Sequence, residues 1–422
     1  MLLASAKKAV LVYDFSRKEH SNMYKIAFVI PWYGEGIPGG AEMELREVAG
    51  HLQKAGVEVE VLTTCVKDFT ADWNQNYYAA GVAMVYDVPT RRFPVRKRDT
   101  ATFDRINAQL MQGKHITPKE EVLFLQEMVN SPQLYEYIET HNDDYDLFVF
   151  MPYMFGTTFH GVLACPEKAV MIPCFHEEAY AHLRLFRQTY INIRGMIFNS
   201  VPEMQLANRL YDLDEVEQIC MGIGMDTSIS GDGAAFREKY GITDPYLIYA
   251  GRKDSGKNVH TLLQYFAEYK KRNPEDPLQL VLIGGGTIAV PNSVKDCVHD
   301  LGYVSQQDKY DALQGALFLC QPSKNESFSL VIMESWLCGR PVLVHSACAV
   351  TKDFAQQAEG GLYFNSYFEF EGCVQWMERH SAEAEQLGQN GRQFVLANFD
   401  WNVVTKKYLA FFKKLIEEGD MQ

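Results

Sequence analysis

Asn325-Glu326-Ser327-Phe328-Ser329-Leu330-Val331-Ile332-Met333-Glu334, continuing through Trp336-Leu337-Cys338-Gly339-Arg340-Pro341 into Val342-Leu343-Val344, is an apolar run with carboxylates at both ends. Glutamate is rarely placed in such surroundings without a partner for its charge. A polar ligand is one explanation; a surface helix with two solvated glutamates is the other. Ser327 or Ser329 suits the helix start, Gly339 suits the position past the end, and Pro341 blocks continuation before the strand at 342–344. Glu326 then lies in the entering loop and Glu334 inside the helix, up to about 12 Å apart, with the free N–H groups of the helix start beside the first. An elongated anion gripped at two hydroxyl-bearing ends fits that spacing, and a nucleotide-sugar has that shape.

The surrounding pattern is parallel α/β. Apolar strands are predicted at Lys25–Pro31, Val57–Thr64, Val82–Tyr86, Leu147–Met151, Ala169–Pro173, Met196–Phe198 and Val216–Cys220, with a polar helical region over 100–140. A second series follows at Tyr246–Ala250, Leu278–Ile283, Ala316–Gln321, Pro341–Val344 and Gly361–Phe364. With 422 residues the chain exceeds one usual core, so two Rossmann-like domains with a linker near 227–234 are expected. Such sheets bind ligands beyond the carboxyl ends of their strands, and two facing sheets enclose a cleft.

The unusual residues fall at those strand ends. Gly39 and Gly40 allow close backbone approach at a helix start, or simply make a tight turn. Arg252 can grip phosphate oxygens and Lys257 adds a point charge, together neutralising a departing diphosphate. Gly284, Gly285 and Gly286 end a strand where backbone can meet a nucleotide base, or simply form the strand's exit into a loop. His176, after another strand, can bond a sugar hydroxyl or stabilise developing charge, or else be structural.

Composition limits the alternatives. A net charge of −14 argues against nucleic-acid binding. The segment from Arg91 to Arg98 carries five cations, an expected contact for an anionic acceptor or lipid phosphates, with a solvated loop as the other reading. Nine cysteines, an odd number without a C-x-x-C pair, read as reduced. No apolar run reaches eighteen residues and the first 24 lack a convincing signal-peptide core, so a cytoplasmic protein is expected, at most peripheral to the inner face of the membrane. Asp144-Tyr145-Asp146 and Asp212-Leu213-Asp214 have a metal-binding D-x-D form, but the first precedes its strand rather than following it.

Taken together, the Gly-Gly-Ala-Glu loop at 39–42, His176, Met221-Gly222-Ile223-Gly224-Met225-Asp226, the Arg252/Lys257 pair, the E-x7-E pair followed by G-x-P-V, and Phe399-Asp400-Trp401 resemble glycosyltransferase family 4. The resemblance covers most of the chain from Lys25. It implies an α/β GT-B fold, two Rossmann-like doubly wound domains facing a central cleft: an N-terminal extension (1–24), an acceptor-side domain (25–227), a nucleotide-sugar-binding domain (228–398) and a helix crossing back (399–422). It implies a retaining, metal-independent enzyme without cofactor, moving a sugar from a UDP- or GDP-sugar to a glycan or lipid-linked acceptor in cell-surface polysaccharide synthesis. Attack from the front face, with the departing phosphate taking the acceptor proton, is the mechanism so implied. Arg252 and Lys257 are then expected on the diphosphate, Glu334 on the ribose, Glu326 and His176 at the transferred sugar as catalytic residues, and Gly39, Gly40, Gly284, Gly285, Ser327, Phe328, Ser329 and Leu330 around the donor. Glu177, Arg96, Lys97 and Arg98 are expected on the acceptor side, and no residue as a metal ligand. Ser327 and Ser329 stand where the family often has glycine, and His176-Glu177 where it has histidine-aspartate. A GT-B-like nucleotide-sugar epimerase or hydrolase, or a non-catalytic glycan-binding protein of the same fold, are the rival readings.

Overall fold

The central strands divide their apolar side chains between two faces, so the middle of each sheet is covered on both sides. In β1 (Lys25–Val29), Ala27 and Val29 enter one core and Ile26 and Phe28 the other. The structure, a computed structural model, describes residues 24–37 and 39–419. The extension expected before Tyr24 therefore lies outside the described residues, apart from Tyr24 itself.

The first sheet is completed by β2 (Glu58–Thr64), β3 (Gly81–Val85), β4 (Val88–Phe93), β5 (Leu147–Phe150), β6 (Ala169–Met171), β7 (Gly195–Phe198) and β8 (Glu217–Cys220). Its order is β3-β4-β2-β1-β5-β6-β7-β8, with only the β3/β4 pair antiparallel. Helices α1 (Gly40–Lys54), α2 (Thr100–Met111), α3 (Pro118–Gln126), α4 (Pro132–Thr140), α5 (Gly156–Ala164), α6 (Arg184–Thr189) and α7 (Val201–Leu210) connect and cover it. The polar region expected to be helical becomes α2, α3 and α4, the second started by a Thr117/Glu120 capping box.

The second sheet contains β9 (Tyr246–Ala250), β10 (Gln279–Ile283), β11 (Val298–Gly302), β12 (Leu319–Gln321), β13 (Val342–His345) and β14 (Gly361–Phe364), in the order β11-β10-β9-β12-β13-β14, all parallel. Around it lie α8 (Gly233–Tyr240), α9 (Val259–Arg272), α10 (Gln306–Gly315), α11 (Leu330–Leu337), α12 (Ala349–Gln357), α13 (Tyr367–Arg379) and α14 (Ser381–Asn398). These are two Rossmann-like domains, the architecture implied by the GT-B resemblance.

The two domains are tied at Asp400. Phe399 packs in the second domain's core, whereas Trp401, Val404, Tyr408, Phe412 and Leu415 of α15 (Trp401–Gly419) pack with β1, β5 and α1. Met225 N–H donates to Phe399 C=O at 2.6 Å, Thr227 donates to Asp400 at 2.5 Å, and Trp401 stacks on His51 at 4.2 Å. Helix α12 of the second domain lies against α7 of the first.

Two strands were not expected. β4 occupies the start of the basic segment, and β11 (Val-His-Asp-Leu-Gly) is a half-buried edge strand too polar to read as one. Strand β4 corrects the loop reading at 91–93 and leaves 94–98 as loop. Arg91 pairs with Glu60 at 2.9 Å, and buried Arg92 donates to Tyr33 C=O at 3.0 Å while lying over the Tyr78 ring. Arg96 donates to Gln126 C=O and pairs with Glu127; Arg98 donates to Glu127 C=O at 3.1 Å between Trp73 and Phe103. Their aliphatic stems and charges are used internally. Arg96 and Arg98 thus have internal partners while remaining half-buried, and Lys97 alone of the three cations expected on the acceptor side is exposed.

Candidate active site

The loop after β9 and the loop before α11 meet at one ion pair. Lys257 Nζ lies 2.7 and 2.8 Å from the two Glu326 carboxylate oxygens, with Glu326 nearly buried and Lys257 about one quarter exposed. Local bonds set this up. Lys257 N–H donates to Asp254 at 3.0 Å, and Asn258, in the left-handed conformation at the start of α9, donates to Pro322 C=O at 3.0 Å. Buried Gln321, the last residue of β12, reaches both Glu326 and Ser329 at 3.4 Å.

Helix α11 begins as its punctuation indicates, at Leu330, with Gly339 at φ +74 past its end. Ser329 occupies the N-cap position but makes no side-chain cap, and it sits at φ 77, ψ 74. A serine there bears the left-handed penalty of about 1–2 kcal/mol, which glycine avoids at an entropic cost of about 0.5–1 kcal/mol. Ser329→Gly is therefore expected to stabilise the protein by about 0.5–1 kcal/mol, raising Tm by about 1–4 °C in a thermal melt. A lower Tm would show that the Gln321 contact outweighs the strain. The Phe328 side chain is buried against Phe354 and Phe399, which leaves its backbone to face a ligand. Ser327 and Leu330 are half-buried at the helix entrance.

Glu334 is buried on α11 and pairs with Lys309 of α10 at 2.5 Å. Burial raises its carboxyl above the usual range, opposed by the Lys309 ammonium. In the free protein the carboxylate expected on the ribose thus already has a cation.

Arg252 is three-quarters exposed, 3.5 Å from Asp254, and reaches no other carboxylate among the described residues. Its neighbour Lys253 is instead buried and paired with Asp300 of β11. Behind this loop a Cβ on Gly284 would lie 2.1 Å from Gly251 C=O, so the turns after β9 and β10 close on one another only because position 284 is glycine. Gly285 abuts the Tyr303 hydroxyl in the same way.

On the other domain, Gly40 starts α1 facing open space, and Gly39 leaves room for the Glu42 carboxylate, which accepts from Trp32 Nε1. His176 follows β6 half-buried, and its Nδ1 is buried with no partner. Exposed Glu177 is engaged by His182 at 2.7 Å and Arg209 at 3.0 Å, and with Lys114, His115 and Glu178 lines a cavity of about 350 Å³. Of the D-x-D aspartates, Asp146 accepts Lys25 N–H at the amino end of the sheet, away from these loops.

The loops holding Gly39, Gly40 and His176 thus leave the carboxyl edge of the first sheet, and those holding Arg252, Gly284 and Glu326 that of the second. Lys253, Asp300, Lys309 and Gln321 were not anticipated. Only Gln321, an amide closing an apolar strand, carried any signal.

Residues 233–394 match the family described as glycosyl transferases group 1. A D-inositol 3-phosphate glycosyltransferase of Rhodococcus jostii is 28% identical over 165 residues, 35% of this chain and 36% of that protein. The chain spans little more than a third of the first curated relatives it matches. The like-named protein of Frankia alni is 25% identical over 340 residues, 74% of this chain and 78% of that protein. Among solved structures, Alr3699/HepE of Anabaena in complex with UDP superposes with a TM-score of 0.65 at 15% identity, covering 92% of this chain and all of that one. The GT-B fold therefore extends over both domains, while the family match lies in the second, where Arg252, Lys257, Glu326 and Glu334 reside.

Proposed function

We propose that this chain is a retaining, metal-independent glycosyltransferase of family 4 type that moves a hexose from a UDP-sugar to a hydroxyl of a glycan or lipid-linked acceptor, acting from the cytoplasm in cell-surface polysaccharide synthesis. The Lys257–Glu326 pair carries the reading. A cation for the diphosphate and a carboxylate for the sugar hydroxyls meet within 3 Å at a helix start, so a donor bound alongside sets its sugar–phosphate bond next to both. In the reaction the acceptor oxygen forms the new glycosidic bond as the sugar–phosphate bond breaks, and the acceptor proton passes to the departing phosphate. The protein contributes leaving-group neutralisation, orientation and exclusion of water. The choice of uridine rests on the HepE complexes with UDP, with UDP and glucose, and with UDP-glucose. No described helix is long and apolar enough to cross a membrane, so a lipid-linked acceptor would be met at the surface.

A thermal-shift panel of UDP, GDP and ADP tests the donor: UDP is expected to raise Tm by several degrees and the others less, since only a ligand that prefers the folded state stabilises it. Donor turnover is expected to persist in EDTA within about twofold, because side chains and a helix start handle the charge. Loss in EDTA with recovery in manganese would move the chemistry to the aspartate pairs. A product of inverted anomeric configuration by NMR would remove the retaining assignment.

A further inference from the structure

Beneath the His176 loop two carboxyl groups are buried without a cation. Glu203, in the first turn of α7, accepts Phe175 N–H and Asn199 N–H, each at 2.7 Å. The Asn199 side-chain amide donates to Glu44 Oε2 at 3.1 Å and lies 3.9 Å from Cys174 Sγ. Glu44 belongs to α1, one turn beyond the Gly39-Gly40 loop. A continuous chain of bonds therefore runs from the helix behind the glycine loop, through Asn199 and Glu203, to the backbone just before His176. Glu44 is 3% exposed and Glu203 2%, and no lysine or arginine pairs with either among the described residues. Placing two carboxyls so is costly. Part of this is local capping, with Ser200 Oγ accepting Glu203 N–H and the Glu203 carboxylate accepting Asn199 N–H, but the bond to Phe175 N–H reaches across to the neighbouring strand end and is not part of a cap.

We propose that Glu203, Asn199 and Glu44 form a positioning relay that holds the His176 backbone in register with the glycine loop, so that the two first-domain elements of the site stay aligned during sugar transfer; this rests on the transfer reading above. The two carboxyls have different tasks. Burial pushes both up to about 8, but backbone N–H groups favour the anion at Glu203, whereas Glu44 has one amide donor and a buried oxygen with no partner. With its four backbone donors Glu203 is thus the readier of the two to ionise as pH rises toward 8, and Glu44 the more reluctant. The other titratable groups around them, Cys174, Cys220 and Tyr408 of α15, are held neutral by burial, with Glu42 beyond. As pH rises through about 8, Glu44 ionises beside Glu203 with no cation to offset it, and the relay is pushed apart.

The test follows UDP release from UDP-glucose between pH 6.5 and 9.5, together with UDP affinity and amide hydrogen exchange. Glu203→Gln is expected to lower kcat at least tenfold across the range, to leave the UDP Kd within twofold, and to speed exchange at Phe175 and Asn199 at least tenfold. Glu44→Gln is expected to raise the ratio of kcat at pH 9 to kcat at pH 7 at least threefold over wild type, and it carries the test if Glu203→Gln does not fold. Wild-type kcat in folded Glu203→Gln, or an unchanged pH profile in Glu44→Gln, overturns the relay. Faster exchange in Glu203→Gln with no turnover of UDP-glucose by the wild type supports the relay's geometry and counts instead against the transfer reading with that donor.

Discussion

Lys257→Ala is expected to lower kcat/KM for the donor about ten- to a hundredfold or more, the equivalent of one charge-assisted bond worth about 1.5–3 kcal/mol plus the loss of leaving-group neutralisation. Lys257 now sits on Glu326 at 2.7 Å, so the substitution also strips a nearly buried carboxylate of its cation. Glu326 then retains only the long Gln321 contact at 3.4 Å. Steady-state donor kinetics checks the loss. Arg252→Ala is expected to act more weakly, because this side chain is exposed and must be ordered by the donor before it contributes. Equal donor kinetics in Lys257→Ala and wild type would remove the phosphate contact from this position.

The fold was legible because its signals are additive along the chain. Tyr246–Ala250 and Gly361–Phe364 were bounded to the residue, and the limits of α11 follow from Gly339 and Pro341. What escaped detection depends on partners remote in sequence. Arg91 and Arg92 disguise β4 because a strand with internal carbonyl, carboxylate and ring partners reads like a basic loop when those partners, Tyr33, Glu60, Tyr78 and Tyr137, are unseen. Lys309 is likewise one cation on a polar helix until α10 packs beside α11 and sets it on Glu334. The two glutamates of the opening stretch were visible as anomalies, and each does have a cation, 69 residues away for Glu326 and 25 for Glu334. Periodicity records which face is buried, but it holds no information about which charge meets which. The Glu44–Glu203 relay was invisible for the same reason, since each lies on an otherwise ordinary amphipathic helix.

Glu326→Gln and Glu334→Gln are expected to fail in different ways, and the difference fixes which way the donor lies. Glu326 shares its position with Lys257 at the loop, where the proposed donor would have its sugar–phosphate bond, so its hydrogen bonds should strengthen as positive charge develops on the sugar. Replacement by glutamine removes that charge while keeping the shape, and kcat should fall by about a hundredfold with donor KM changed less than about threefold. Glu334, in the middle of α11 and held by Lys309, would accept ribose hydroxyls equally in ground and transition states. Its amide variant should raise donor KM about tenfold and leave kcat nearly intact. Lys309 modulates this second result: once Glu334 is neutral its ammonium is left without a carboxylate, so Lys309→Met added to Glu334→Gln should restore stability but not donor affinity. Initial-rate kinetics on both single variants, with Tm for the double, separates these terms. If Glu326→Gln instead raised KM and Glu334→Gln lowered kcat, the nucleoside would have to lie at the loop and the sugar over the middle of α11.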